Sequence, residues 1–213
     1  MGALVQMVYL APLFAFTALI APASVAGLWP VPRSLSTGST PLRLSQGFNI
    51  QLDINNAPSD LKDAVSRSKT LLTNDKLEML VVGRGANNTA AVKSAKQLNT
   101  LTLSLEGKGP VNSISEEAVL DVTQRSEEYQ LVVPADGSSA KLTANSYVTY
   151  FQLINCFVDM RRRTLGLLRG LTTFGQLWYD VDGMTYTMEA PISITDAPAY
   201  PYRGFMLDTA RNL

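Results

Sequence analysis

The sequence predicts an α+β fold in which an antiparallel sheet carries helices on one face in two layers. Three features predict it. Residues 48–54 and 101–105 alternate apolar and polar side chains, the period of a half-buried strand. Asp136-Gly137 stands between two strand-like runs, 128–133 and 141–144, which is a tight-hairpin signal. Two other segments, beginning near Ser59 and Leu165, repeat apolar residues at helical spacing.

In chain order, residues 3–20 are apolar apart from Gln6 and Thr17 and lead into the small residues Ala21, Ala23, Ser24 and Ala26. That pattern predicts a signal peptide, residues 1–26, cleaved after Ala26; a membrane signal anchor is the rival reading. Asn87-Asn88-Thr89 is a glycosylation sequon at Asn87, in keeping with export. Residues 29–45 hold Pro30, Pro32 and Pro41, and proline at that density predicts an extended lead-in rather than a helix.

After the strand at 48–54, Ser59 is a plausible N-cap, with Asp60 and Asp63 in the first turn of a helix that ends near Asn74. Leu61, Ala64, Val65, Ser68 and Leu72 form its inward stripe. Residues 77–82 are a second apolar run, closed by Gly83-Arg84-Gly85. The second helix is predicted over 165–179, with Leu167, Leu171, Phe174 and Trp178 on one face. Residues 186–188 and 192–194 read as two short strands.

Composition excludes several chemistries. The 213 residues contain no histidine and one cysteine, Cys156, so His-based nucleophile activation, His-ligated zinc and an internal disulfide are all excluded. Zero net charge argues against a nucleic-acid surface. Gly83-Arg84-Gly85 lacks the third glycine of a dinucleotide loop and reads as a turn. The close carboxylates Glu116-Glu117, Glu127-Glu128 and Asp180/Asp182 are poor candidates for a glycosidic pair, because neighbours on a strand point to opposite faces, and they read as solvated turn charges. Phe174 and Trp178 could line a sugar site, but their place on the apolar stripe favours core packing. Near the C-terminus, Phe205-Met206-Leu207 is an apolar strand flanked by Arg203 and Asp208, charged groups that are costly to bury without partners.

Several stretches together resemble glycoside hydrolase family 20, the β-N-acetylhexosaminidases, in a eukaryotic, fungal-like form. YRGFMLDTARN at 202–212 resembles the start of the family's catalytic barrel, and LRGLTTFGQLWY at 168–179 its helix ahead of the barrel. SEEYQL at 126–131 with PADGSSAKLTA at 134–144 resembles its hairpin, and WPVPRSL at 29–35 its mature N-terminus. The resemblance implies a zincin-like N-terminal domain without zinc over 27–199, followed at 200–213 by the first strand of a truncated TIM barrel. It implies that Arg203 binds hydroxyls of the terminal sugar, with Asp208 and Arg211 as local scaffold.

The implied reaction is hydrolysis of terminal non-reducing N-acetylhexosamine residues from chitin oligomers or glycans. It is substrate-assisted and retaining, and uses no metal or organic cofactor. The catalytic Asp-Glu pair is expected downstream of Leu213, so this fragment is expected to be inactive alone. Implied partners are an N-acetylhexosamine oligosaccharide and, for the full-length protein, a second copy in a homodimer. The implied location is secreted, vacuolar or lysosomal. Two departures stand out. Leu213 replaces a tyrosine, and residues 148–163, with Cys156 and the Arg161–163 triplet, interrupt the family pattern as an unspliced intron or gene-model error would. The alternative function is a secreted, non-catalytic carbohydrate-binding or interaction module.

Overall fold

The computed structural model describes residues 28–74, 86–106, 111–121, 125, 127–144 and 164–200. The predicted runs at 77–82 and 148–163, Gly83-Arg84-Gly85, the export segment and the stretch 201–213 lie outside these residues. The elements run β1 (Ser34–Asp53), α1 (Ser59–Asn74), a 3-10 turn (Ala86–Asn88), α2 (Thr89–Ser94), β2 (Lys96–Leu105), α3 (Ile114–Ala118), β3 (Tyr129–Val133), β4 (Ala140–Ala144), α4 (Thr164–Gln176), β5 (Tyr179–Val181) and β6 (Met184–Asp196).

The strands form one sheet in the order β1-β2-β4-β3-β6-β5. The sheet is mixed, not antiparallel as predicted, because β2 runs parallel to both β1 and β4. The connection from β1 to β2 runs through two helices, long enough for the crossover that parallel neighbours require. Hairpins occur at β3–β4 and β5–β6, and there the pairing is antiparallel. The first half of β1 also pairs with β6, which pairs on its other side with β3. The ladder therefore runs round a circuit β1-β2-β4-β3-β6-β1, which leaves these strands few open edges.

β1 is far longer than the predicted 48–54, since most of the proline-bearing lead-in is strand. β6 is one strand where two were expected. Pro191 has no N–H to give to a ladder, and β1 answers it with a bulge: Thr37 pairs with Ile192 and Thr40 with Ala190, so Gly38 and Ser39 oppose Pro191 alone. A Cβ at Gly38 would collide with the Ala190 carbonyl and the Pro191 ring. β5 escaped the sequence reading, although its turn, Asp182-Gly183 with both φ positive, has the chemistry recognised at Asp136-Gly137.

α1 spans its predicted residues and buries Leu61, Ala64 and Leu72. It starts at Ser59, one residue earlier than a Ser59 cap implies, with the Pro58 carbonyl accepting the first bond from Lys62 N–H at 3.2 Å. α4 stops at Gln176, short of the predicted 179, as Leu177 N–H turns back to the Phe174 carbonyl at 3.2 Å. Three consecutive apolar residues, Leu177, Trp178 and Tyr179, carry the periodicity past the true end. Trp178 still reaches the core, edge-on to Phe174 at 5.4 Å, and Phe174 stacks on Phe48 at 6.0 Å. Both aromatics are thus core residues, bridging α4 to β1. Val92 of α2 seals a second apolar cluster with Tyr179, Val181 and Tyr186.

α4 lies close on the sheet at Gly170, where an added Cβ would run into Leu142 and lie 3.0 Å from the Tyr129 ring. Gly175, on the same helix, has nothing within 4 Å of the same position. Gly170→Ala should therefore destabilise by about 1–3 kcal/mol through overpacking. Gly175→Ala should stabilise by about 0.5–1 kcal/mol through helix propensity alone. Urea unfolding monitored by circular dichroism compares the two.

Candidate functional site

Several polar groups gather at the end of β6. Positions 192, 194 and 196 share the inward face of the strand, so Asp196 is driven inside with Ile192 and Ile194 and is only 3% exposed. A buried carboxylate needs partners, and Asp196 has them. Its Oδ1 accepts the Arg33 N–H at 3.1 Å and its Oδ2 accepts Arg169 Nη2 at 2.6 Å. Arg169, on α4, also stands 3.9 Å from Glu127.

The Arg33 guanidinium reaches on to the Pro198 carbonyl at 2.6 Å. Beside the pair, the Tyr129 hydroxyl bonds Thr173 at 2.6 Å, and burial pushes its pKa up. At the far end of α4, Gln176 clasps the Trp29 backbone, accepting its N–H at 2.7 Å and donating to its carbonyl at 2.9 Å. The first described residues and the last are thus tied to one helix.

The carboxylates read as solvated turn charges separate. Glu116 closes a capping box with Ser113 at the start of α3, exposed as expected. Glu117 overturns the expectation: it is fully buried, and its two oxygens accept the N–H groups of Thr164 and Leu165 at 3.1 and 2.9 Å. It caps α4 from another helix, where a negative charge meets the positive end of the helix dipole. Glu127 belongs to the Arg169 pair, also against expectation. Asp182 is exposed in its turn.

Asp60 serves α3, accepting Ser115 N–H and Oγ at 3.0 and 2.9 Å. Slight burial works against its ionisation, but the bonds from Ser115 outweigh it and hold the pKa low. Glu116, Glu117, Glu127 and Asp60 are each occupied by a backbone, hydroxyl or cationic partner. Among the described residues no group of three or more His, Cys, Asp or Glu could hold a metal ion.

Of the residues singled out in the sequence, Asn87 is exposed on the 3-10 turn. Arg203, Asp208 and Arg211 lie outside the described residues. Asp196, Arg169 and Glu117 were missed. For Asp196 the signal was present: strand parity puts it on the apolar face, and an acid at such a position demands a cation.

Asp196→Ala would strand the Arg169 guanidinium and the Arg33 N–H, and should cost about 3–5 kcal/mol in chemical denaturation. Glu189 behaves in the opposite sense. It is half-buried, and desolvation raises its pKa, so the folded state prefers it protonated and loses stability as pH rises out of the carboxylate range. Glu189→Gln should raise the melting temperature at about pH 7 and lose that gain at about pH 4.

The family model described as beta-acetyl hexosaminidase like matches residues 28–150, more than half of the chain. The beta-hexosaminidase subunit beta of Felis catus is 30% identical over 213 residues, covering 95% of this chain and 34% of the feline protein. The chitooligosaccharidolytic beta-N-acetylglucosaminidase of Bombyx mori is 29% identical, over 87% of this chain and 26% of the silkworm protein. A solved chitobiase from Flavobacterium johnsoniae superposes with a TM-score of 0.47 at 19% identity, over 86% of this chain and 22% of that one. The chain spans about a third or less of the length of these relatives.

Proposed function

Because the chain belongs to the beta-acetyl hexosaminidase-like family, we propose that it is the front part of an enzyme that removes terminal non-reducing N-acetylhexosamine residues from chitin oligomers or glycans. The observation that carries this reading is the family match over 28–150, joined to an alignment with the feline hexosaminidase subunit that runs over 95% of the chain. In this reading residues 1–26 direct export, 27–199 form a non-catalytic, zincin-like domain interrupted at 148–163, and 200–213 begin the catalytic barrel. The protein acts outside the cell or in a lysosome-like compartment, as a homodimer when full-length.

The chemistry follows from the resemblance. The substrate's acetamido oxygen attacks its own anomeric carbon while a glutamic acid protonates the leaving oxygen, and the preceding aspartate steadies the acetamido group. Both residues belong downstream of Leu213. Arg203 supplies a planar fork of donors to paired sugar hydroxyls, fixing the terminal ring in the site. Asp196, seven residues earlier, anchors the strand from which the chain reaches Arg203. The described domain thus orients and the barrel reacts.

Residues 1–213 alone should leave a chromogenic β-N-acetylglucosaminide intact, and the same residues continued through a barrel should hydrolyse it. Arg203→Ala in the continued protein should raise KM and lower kcat/KM by about tenfold or more, the loss of a charge-assisted bond to substrate. Hydrolysis by residues 1–213 alone would refute this reading. For the export reading, protein made in a secretory host should lose mass on treatment with an N-glycanase, and Asn87→Gln should abolish the shift.

A further inference from the structure

Between Leu44 and Asn49 the register of β1 on β2 jumps. Leu44 pairs with Leu98 and Asn49 with Thr100, so Ser45, Gln46, Gly47 and Phe48 stand opposite Asn99 alone. Bulges of this kind bend a strand and re-aim its side chains, and they concentrate beside functional sites. Over this one lies an open cleft of about 630 Å³, within the range of about 300–1,000 Å³ usual for small-molecule sites. The end of α1 and the β5–β6 turn close its sides, joined where Thr185 Oγ1 donates to the Leu72 carbonyl at 3.4 Å.

The lining has a definite chemistry. Gln46, Gln97 and Asn99 bring side-chain amides, each with donors and an acceptor; Arg43 and Ser45 add a guanidinium and a hydroxyl; the half-buried Leu44 and Met184 add an apolar surface. No Asp, Glu or Lys side chain is among the described residues of the cleft. Arg43 Nε and Ser45 Oγ are buried and have no hydrogen-bond partner among the described residues, a costly arrangement that calls for an explanation such as a bound group. Amides that both donate and accept match hydroxyls that do the same, and an apolar wall matches the C–H face of a sugar ring. A lone guanidinium among neutral groups is a weak anion site.

We propose that this cleft is a binding site for a short neutral oligosaccharide. It rests on residues of the described domain and does not require hydrolysis, so it stands or falls apart from the proposed enzymatic activity.

The test is isothermal titration of the full 213-residue chain with chitotetraose, cellotetraose and sodium sulfate as separate probes. Saturable binding of either tetrasaccharide with Kd below about 1 mM is expected. Asn99→Ala and Gln97→Ala should each weaken it by about fivefold or more. Both side chains are exposed, so thermal unfolding should stay at the wild-type temperature. Gln130→Ala, an exposed position on β3, should bind as wild type. Failure of both saccharides to saturate at about 10 mM, binding that survives both cleft substitutions, or saturation by sulfate alone would overturn the proposal.

Discussion

The buried pair of Arg169 and Asp196 is the joint that the rest of this domain is arranged around. Asp196 ends the last strand, Arg169 sits mid-way along the helix packed on the sheet, and Arg33 brings the first strand to the same carboxylate. Remove Asp196 and three elements lose their common partner, while the Arg169 guanidinium loses its closest carboxylate. Such a joint adds little net stability over an apolar one, because desolvating both charges offsets most of their attraction. What it adds is definition, since only one placement of α4 against β6 satisfies both oxygens and the Arg33 N–H together.

α4 itself depends on a partner that is remote in sequence. Its first N–H groups are capped by Glu117 from α3, and α3 is held by its own capping box and by Asp60 of α1. The polar contacts therefore run as a chain from α1 through α3 and α4 to β6, while the apolar contacts cross it from Phe48 through Phe174 to Trp178. The reaction proposed for the longer protein needs a sugar-binding arginine set in a fixed place, and this double bracing makes β6 a fixed point of departure toward it.

Local patterns carried much of this into view. The stripe of Leu61, Ala64 and Leu72 is buried as read, and Asp136-Gly137 turns as read, with Gly137 at φ +79° where a side chain would be strained. What stayed hidden is what depends on distant residues. Parallel pairing of β1 with β2 follows from the path of the connection between them and leaves no local mark. Glu117 looks like any turn acid until α4 is seen above it. The circuit of strands rests on a bulge at Gly38-Ser39 opposite Pro191, and nothing within residues 29–45 announces that partner. The resemblance identified the family, but Arg203, the residue proposed to hold the sugar, lies outside the described residues, and the bracing around Asp196 is visible only in the structure.

The account holds that the first strand, α4 and the end of β6 open only together. Native-state hydrogen exchange of the Arg33 amide, which donates to the Asp196 carboxylate 163 residues away, measures this most directly. The account predicts that Arg33 exchanges with the free energy of global unfolding, in step with the core amides of β3. Exchange at the rate of a fraying terminus, while β3 remains protected, would contradict it.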